Sequence, residues 1–239
     1  MLTLSSFLNK IPIVAGLIIL LICQGLALAA EKTTEPAIPF AIATVHFEQN
    51  ATDGDMEVVF EVKGNKDGLS KLAIVSPDGR KVIDFTAPDA STIGIRQFSF
   101  ESPEPKDTNS LKAAYPEGIY TFSGSTFSGQ NLTAQSRLSH RLPAKATIKQ
   151  PGIHVKSVDV DEVKITWAAM KNISSVIIEI KQDELDVSMK AKQSGSETAF
   201  CVPSGFLAPN TEYELGVGTV SEEGNIVFVE TTFMTAKNN

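Results

Sequence analysis

The side chains best suited to chemistry in this sequence are three histidines, His46, His140 and His154, and they are scattered along the chain. They form no His-x-x-x-His pair and no Cys-x-x-Cys pair accompanies them, so the usual spacings of a zinc site are missing. We expect His46 to occupy a strand position that faces solvent or a partner. His140 and His154 flank a predicted joint between two domains, where they would have to meet in space to form a metal site or a pH-sensing pair.

Two acidic clusters, Asp53–Glu57 and Asp159–Glu162, lie in segments typical of turns. Ca²⁺ prefers such oxygen-rich loops, but neither cluster matches the usual calcium loop. Calcium is therefore an open alternative, and we predict no metal ligand and no cofactor. Paired carboxylates can also hydrolyse glycosides, for which they need a cleft with aromatic walls. With 7% aromatic residues and a single Trp, the chain offers little material for such a cleft.

Nucleophilic side chains lack the neighbours that catalysis needs. The motif Gly-x-Ser-x-Gly is absent, and the segment 122–130, rich in Ser and Gly, is typical of a hairpin turn. A loop that holds a sugar or an anion is the alternative for this segment. Cys201 lies between Phe200 and Val202, with no His or cation close in sequence, and we expect a buried, inert thiol. We predict no catalytic residue and a protein that is not an enzyme.

The first 30 residues have the features of an export signal. Lys10 supplies a positive charge, residues 11–23 carry no charge, and Ala27-Leu28-Ala29 forms a small-residue cleavage pattern. Residues 1–30 are therefore predicted to be a signal peptide, and the protein to be secreted, periplasmic or at the cell surface. Residues 11–30 are also long enough to cross a bilayer, so an uncleaved anchor is the alternative. Only that segment would then contact a membrane.

Composition restricts the partners. Apolar residues make up 42% of the chain and charged residues 21%, which is enough apolar material for a folded core. Lys and Arg number 21 against 28 Asp and Glu, a net charge of −7 with no basic run, which argues against nucleic acid. A protein or glycan partner of unknown identity remains. Three Asn-x-Ser/Thr tripeptides matter only if the source organism glycosylates them: Asn50, Asn131 and Asn172.

Short strands and turns dominate after the signal. Residues 31–40, rich in Thr, Pro and charge, are predicted to be a tether. Apolar and charged residues alternate along 56–63, the pattern of a half-buried strand, and the turn-forming Ser76–Gly79 between two apolar runs predicts a hairpin. No helix of three turns is expected outside the signal, and residues 41–142 are predicted to form a β-sandwich. Further strands are expected at Ile93–Phe100, Ile119–Ser125 and Leu132–Leu138.

The second half repeats this rhythm after the predicted joint at Arg141–Ala144, and residues 143–237 are predicted to form a second β-sandwich. Val163–Trp167 alternates as a strand does, and Leu207–Tyr213 reads Leu-Ala-Pro-Asn-Thr-Glu-Tyr. On these two motifs, residues 147–237 resemble a fibronectin type III module.

This resemblance implies structural roles for five residues. Trp167 would fill the centre of the sandwich, and the hydroxyl of Tyr213 would close a tyrosine corner through a hydrogen bond to the backbone. Leu207, Pro209 and Thr211 belong to the same corner motif. The chain departs from the family pattern in lacking the Pro that is usual a few residues after the Trp, which bears on family detail and not on fold.

The first domain is similar, more weakly, to immunoglobulin-like modules of bacterial exported proteins. The segment Tyr115–Phe122 resembles their turn and their Tyr at the entry to a late strand, and the domain has no Cys pair to bridge its sheets. The predicted fold class is therefore all-β, with an immunoglobulin-like sandwich followed by a fibronectin type III-like one.

The sequence is compatible with three hypotheses for the function. The leading hypothesis is a non-catalytic exported protein whose modules bind or space protein or glycan partners. A carbohydrate-binding accessory protein would need Tyr115 and Phe127 exposed on one concave face. An enzyme with a site between the domains would use the acids Asp53, Asp55 and Glu57 or the histidines, and needs a His and a carboxylate within hydrogen-bond reach.

Overall fold

The computed structural model describes residues 37–87, 95–161 and 163–237. The predicted signal peptide and its alternative, the anchor, lie outside the described residues. Within them the chain is built from β-strands and one short helix, so the all-β prediction is confirmed. The described part of the chain includes no helix of the length and hydrophobicity that a membrane crossing requires.

The first sandwich contains eight of the described strands and the helix, and its sheets face each other across one core. In chain order its elements are β1 (Ile38–Pro39), β2 (Ile42–Asn50), β3 (Met56–Lys63), β4 (Leu69–Val75), β5 (Lys81–Thr86), β6 (Gln97–Glu101), α1 (Thr108–Ala114), β7 (Gly118–Thr126) and β8 (Asn131–Leu138). One sheet has the strand order β1-β8-β7-β4-β5, and the opposing layer is formed by β2, β3 and β6.

The second sandwich has a three-stranded and a four-stranded layer. Its strands are β9 (Ile148–Gln150), β10 (Val155–Val158), β11 (Lys164–Trp167), β12 (Ser175–Gln182), β13 (Val187–Ser194), β14 (Ala199–Cys201), β15 (Glu212–Val220) and β16 (Ile226–Thr235). The three-stranded layer has the order β14-β11-β9, and the four-stranded layer has the order β13-β12-β15-β16, with β10 added in parallel to β16. This fold is fibronectin type III-like, as the two sequence motifs imply.

A single sheet runs through both sandwiches. Strand β16 pairs in parallel with β2, with Ile226 opposite Glu48 and Phe228 opposite Asn50. The order β13-β12-β15-β16-β2-β3-β6 is therefore continuous. The segment Arg141–Ala144, predicted as the joint, is therefore not the only connection between the two modules in the described residues, because β16 and β2 also pair with each other. The boundary between residues 142 and 143 stays a prediction.

One local expectation is wrong. The predicted tether 31–40 extends too far, because Ile38–Pro39 pairs with β8 and Phe40 is buried in the first core. The helix α1 was not predicted, but with seven residues it is shorter than the three turns that the sequence excludes. Asp107 accepts a hydrogen bond from the Ser110 amide, and the Ser110 hydroxyl contacts the Asp107 backbone. This capping box supports a helix of two turns, which is shorter than helical periodicity can reveal.

Candidate functional site

The outer face of the continuous sheet forms a groove where the two sandwiches meet. On β2, Val45 and Phe47 pack into the first core, so His46 and Glu48 lie on the opposite face. Side chains of β3 and β6 continue this face, and side chains of β12 and β13 face them from the second sandwich. We call this the charged groove. It has a volume of about 650 Å³.

One wall of the charged groove is acidic. Glu48 and Glu57 stand directly opposite each other on β2 and β3, and Glu61 and Glu101 lie on the same face. Burial, together with the negative charges of Glu101, Glu48 and Asp55, raises the pKa of Glu57 to about 7. Like charges placed opposite each other destabilise a strand pair. This wall therefore binds a proton near neutral pH.

The other wall is basic. On β13, Lys190 pairs with Glu179 of β12 at 2.7 Å, and Lys181 lies 3.4 Å from the same carboxylate. Burial lowers the pKa of Lys190, but its hydrogen bond to Glu179 and the charges of Glu179, Glu48 and Glu61 outweigh burial and raise the pKa. Because Glu48 and Glu61 belong to the first sandwich, the two walls interact electrostatically across the groove.

An apolar floor separates the two charged walls. Ile177, Val220, Ile226 and Phe228 form a small buried cluster on this face of the sheet. Gly218 makes room for the Phe228 ring, since a Cβ at this position would lie 2.6 Å from a ring carbon. The groove thus combines opposite charges at its sides with hydrophobic contact at its base.

His46, expected to face solvent or a partner, lies buried at the acidic wall. It is 7% exposed, and its Nε2 lies 3.4 Å from a Glu48 carboxylate oxygen. Strand alternation directs it away from the first core and into the charged groove, which side chains of the second sandwich also line. A histidine, a carboxylate in hydrogen-bond reach and a carboxyl with a pKa near 7 are groups that general acid–base catalysis uses.

A cluster of polar contacts around Asn225, which we call the Asn225 clamp, holds the two sandwiches together beside the charged groove. Asn225, 1% exposed, sits in the hairpin between β15 and β16 and accepts a hydrogen bond from the Phe47 amide at 2.9 Å. Its side-chain nitrogen donates to the Ser139 carbonyl, the Ser139 hydroxyl and the Arg141 carbonyl, each at 2.9 Å. Glu223 in the same hairpin contacts both the Ser139 hydroxyl and the Arg141 guanidinium. One hairpin thus holds both the linker and strand β2.

The residues predicted from the fibronectin type III resemblance lie in the second sandwich. Trp167 is 1% exposed in the core, and its indole N–H donates to the Glu197 carbonyl at 2.9 Å. The Tyr213 hydroxyl accepts a hydrogen bond from the Ala208 amide at 2.8 Å. Leu207 packs into the same core.

The rest of the corner turn is held by hydroxyl groups. The Thr211 hydroxyl donates to the Pro209 carbonyl at 3.0 Å, and the Thr211 amide donates to the Thr235 hydroxyl at 2.8 Å. The corner is therefore tied both to itself and to the end of β16.

A second tyrosine holds a comparable position in the first sandwich. It is Tyr120, in the segment Tyr115–Phe122 that resembles a turn and a Tyr at the entry to a late strand. Tyr120 near the start of β7 is fully buried, and its hydroxyl donates to the Pro116 carbonyl at 3.2 Å. Burial raises its pKa to about 12. Tyr120 follows Pro116 by four residues, just as Tyr213 follows Pro209 by four. Both sandwiches therefore carry a buried tyrosine that ties a late strand to the turn before it.

The predicted acidic loops use their carboxylates within their own turns. Asp53 accepts a hydrogen bond from the Asp55 amide at 3.0 Å, and Asp159 accepts one from the Asp161 amide at 3.0 Å. Within residues 37–87, 95–161 and 163–237, no group of three or more His, Cys, Asp or Glu side chains is placed to hold a metal ion. Calcium binding at these loops remains a hypothesis.

The two histidines near the joint are held by different partners. His140 contacts the Tyr115 carbonyl at 2.8 Å, and His154 contacts the Thr232 hydroxyl at 3.0 Å. Ser139 is bonded to Asn225 at one end of β16, and Thr232 lies seven residues further along the chain, about 20 Å at the rise of an extended strand. The structure does not bring His140 and His154 together as a pair.

Cys201 is exposed, which contradicts the expectation of a buried thiol. Its neighbour Val202 is buried, and adjacent residues of a strand point to opposite faces, so an apolar neighbour places Cys201 outside.

The aromatic pair required for sugar binding is not formed. Tyr115 precedes β7 and Phe127 follows it, so the nine residues of that strand, about 30 Å, separate them. Tyr115 also packs on the first core, with its ring 6.2 Å from that of Phe60.

Comparisons with known proteins place the chain near fibronectin type III structures without assigning it to a family. No family model matches the sequence, and no curated protein matches it. The chain is similar to the fibronectin(III)-like modules of Clostridium thermocellum CbhA, with 11% identity, coverage of 85% of this chain and 92% of that one, and a TM-score of 0.35. It is also similar to the FN1–FN3 domains of chicken CNTN1, with 16% identity, coverage of 84% and 66%, and a TM-score of 0.32. A two-domain fibronectin type III segment of chicken tenascin shares 15% identity, with coverage of 81% and 98% and a TM-score of 0.32.

Proposed function

We propose that this protein is a non-catalytic exported protein whose two β-sandwiches form one rigid unit that binds or spaces partners at the cell envelope or outside the cell. The observation that carries this proposal is the parallel pairing of β16 with β2. Paired strands and the buried Asn225 clamp remove the freedom that a flexible linker would leave between modules. The charged groove then keeps one shape and can serve as a preformed binding surface.

The groove favours a protein partner over a glycan. Its walls carry Glu48, Glu61 and Lys190, and its floor is apolar, a combination that fits a polypeptide with both charged and apolar side chains. Sugar sites use exposed aromatic rings, whereas Phe228 beneath the floor is 7% exposed. The predicted export signal supports a partner in the envelope or outside the cell.

Affinity capture with the full chain as bait, from native envelope or culture fluid, tests this function. We expect a retained protein that is lost with Lys190→Glu, which reverses a charge at the basic wall. Lys164→Glu is the matched control, because Lys164 lies on β11 outside the groove and is also exposed. Equal capture by both variants, or no retained protein with the unchanged bait, would contradict the proposal.

One observation favours a second candidate, an enzyme with its site in the charged groove. Glu57, with a pKa of about 7, lies opposite Glu48, which His46 approaches to 3.4 Å. Glu57 would act as the general base, since a carboxyl with this pKa can exchange a proton at neutral pH. Screening the full chain against chromogenic esters and glycosides tests this role. Turnover that Glu57→Gln abolishes would support an enzyme, and turnover that survives the substitution would exclude Glu57 as its base.

A further inference from the structure

A second groove, on the side of the second sandwich, contains an open piece of strand edge. Along one edge of β16, residues 226–228 pair with β2, and Phe233 and Thr235 pair with β10. In the part of the chain that the structure describes, residues 229–232 have no strand partner on that edge. This gap spans about 13 Å, enough for three or four residues of an extended chain.

Backbone groups in the gap point toward the open edge. The Ala51 amide donates to the Phe228 carbonyl on this side. Because the backbone N–H and C=O groups of successive strand residues point to alternate sides, those of Glu230 and Thr232 point to the same side as those of Phe228. A side chain takes the place of a strand at Glu230: the Glu230 amide donates to the Thr52 hydroxyl at 2.7 Å, and that hydroxyl donates to the Glu230 carbonyl at 3.4 Å. Unpaired strand edges are sites where a further strand can add.

Apolar side chains border this gap. Ala146, Ile148 and Val229 line a groove of about 620 Å³ between β9 and β16, which we call the edge groove. Ile153 at its rim is 75% exposed, the largest exposure among the large hydrophobic residues in the described ranges. Val155, at the start of β10, is 37% exposed. An exposed aliphatic residue beside an unfilled apolar groove marks a contact surface.

We propose that the edge groove binds an extended peptide segment of a partner protein, which adds to β16 at residues 229–232 and inserts an apolar side chain beside Ile153. This inference rests on the proposed binding function and names the kind of segment that the partner supplies. The existing pairing of β2 with β16 supports this proposal. Strand β2 already adds in parallel to the same edge of β16 and ends at Asn50, where the gap begins. Strand addition takes its affinity from backbone hydrogen bonds and its specificity from alternate side chains.

The charges around the edge groove are mixed. Lys145 lies at the groove together with Glu214 and Glu230, and His154 is held by Thr232. Two glutamates against one lysine give a small excess of negative charge. The segment is therefore expected to carry no negative charge, with apolar residues at alternate positions that face the groove.

A random hexapeptide library displayed on phage, panned against the immobilised full chain, tests the proposal. We expect enriched peptides with alternating apolar residues, whose affinity falls about tenfold with Ile153→Ser through loss of apolar contact. Leu185→Ser is the matched control, since Leu185 is 50% exposed in the turn between β12 and β13. Thr52→Val should strengthen binding, because it frees the Glu230 amide for the peptide.

Three results would overturn the proposal. The first is a library that enriches no peptide, and the second is a set of enriched peptides whose affinity falls equally with Ile153→Ser and Leu185→Ser. The third is a concentration-dependent dimer that Ile153→Ser dissociates, because this would assign the edge groove to a second copy of the chain. If the library yields no enriched peptide but the full chain still captures a protein that Lys190→Glu releases, the proposed function stands and only the role of the edge groove is refuted.

Discussion

Replacing Asn225 with Ala should uncouple the two sandwiches. The side chain makes four hydrogen bonds, to the Phe47 amide, to both oxygens of Ser139 and to the Arg141 carbonyl. The Phe47 amide is buried, so it would lose its partner where water cannot replace it, at a cost of about 1–3 kcal/mol. With the orphaned carbonyl groups added, we expect a loss of about 3 kcal/mol, which is a large part of the stability of an ordinary domain.

Unfolding in urea, followed by two probes, measures this effect. The single Trp, Trp167, reports on the second sandwich, and far-ultraviolet circular dichroism reports on both. The unchanged chain should unfold in one transition with coincident midpoints, and Asn225→Ala should separate the two midpoints. Asn109→Ala, on the exposed face of α1, is the matched control and should change stability by less than about 0.5 kcal/mol. A loss below about 1 kcal/mol with coincident midpoints would refute the clamp.

Four further substitutions test the cores and the acidic wall. Trp167→Ala should cost about 3–5 kcal/mol in urea unfolding, as for other large core aromatics, and a cost below about 1 kcal/mol would contradict its central place. Tyr213→Phe should cost about 1 kcal/mol because the Ala208 amide loses its acceptor, and an unchanged unfolding midpoint would count against the corner. Ser175→Ala should stabilise the protein by about 1 kcal/mol, since the Ser175 hydroxyl is buried without a hydrogen-bond partner among the described residues; destabilisation would show that it has one. Glu57 has a raised pKa when folded, so the protein loses stability as pH rises from about 4.5 to about 7. Glu57→Gln should remove about 1 kcal/mol of this loss, after discounting for solvent screening, and identical pH profiles for the two proteins would refute the raised pKa.

Local pattern was sufficient where one strand or one turn determines the structure. Alternation along 56–63 marks which residues of β3 enter the core, and the hairpin of β4 and β5 follows from the turn at Ser76–Gly79. These features depend on residues close in sequence, so no knowledge of the rest of the chain is needed.

Cys201 and His46 show two limits of reasoning from the sequence. For Cys201, apolar neighbours were taken as its environment, although neighbours in a strand face the opposite side. For His46, the alternation correctly directed the side chain away from the first core. The groove into which it points is also lined by the second sandwich, whose strands lie more than 100 residues away in sequence.

The charged groove could not be predicted for the same reason. Glu48, Glu57 and Glu101 lie on three strands of the first sandwich and Lys190 on a strand of the second. Each occupies the polar side of its own strand, where a charged residue normally faces water. Only the pairing of β16 with β2 turns two solvent-facing surfaces into facing walls, and no local signal marks that pairing.

Edge protection accounts for this pairing in physical terms. Strands β2 and β16 would each present a free edge if the two sandwiches were separate, and free edges invite unwanted association. Joining them along Ile226–Phe228 covers part of both edges within one chain. Strand β2 ends at Asn50 and β10 begins at Val155, so the cover is incomplete between them, and the Thr52 hydroxyl bonds to the amide and the carbonyl of Glu230 there. In the described part of the chain, residues 229–232 of β16 are therefore protected only by the exposed Thr52 hydroxyl, and another strand can still pair there. The Thr52→Val substitution changes the polar side of this site, and Ile153→Ser changes its apolar side.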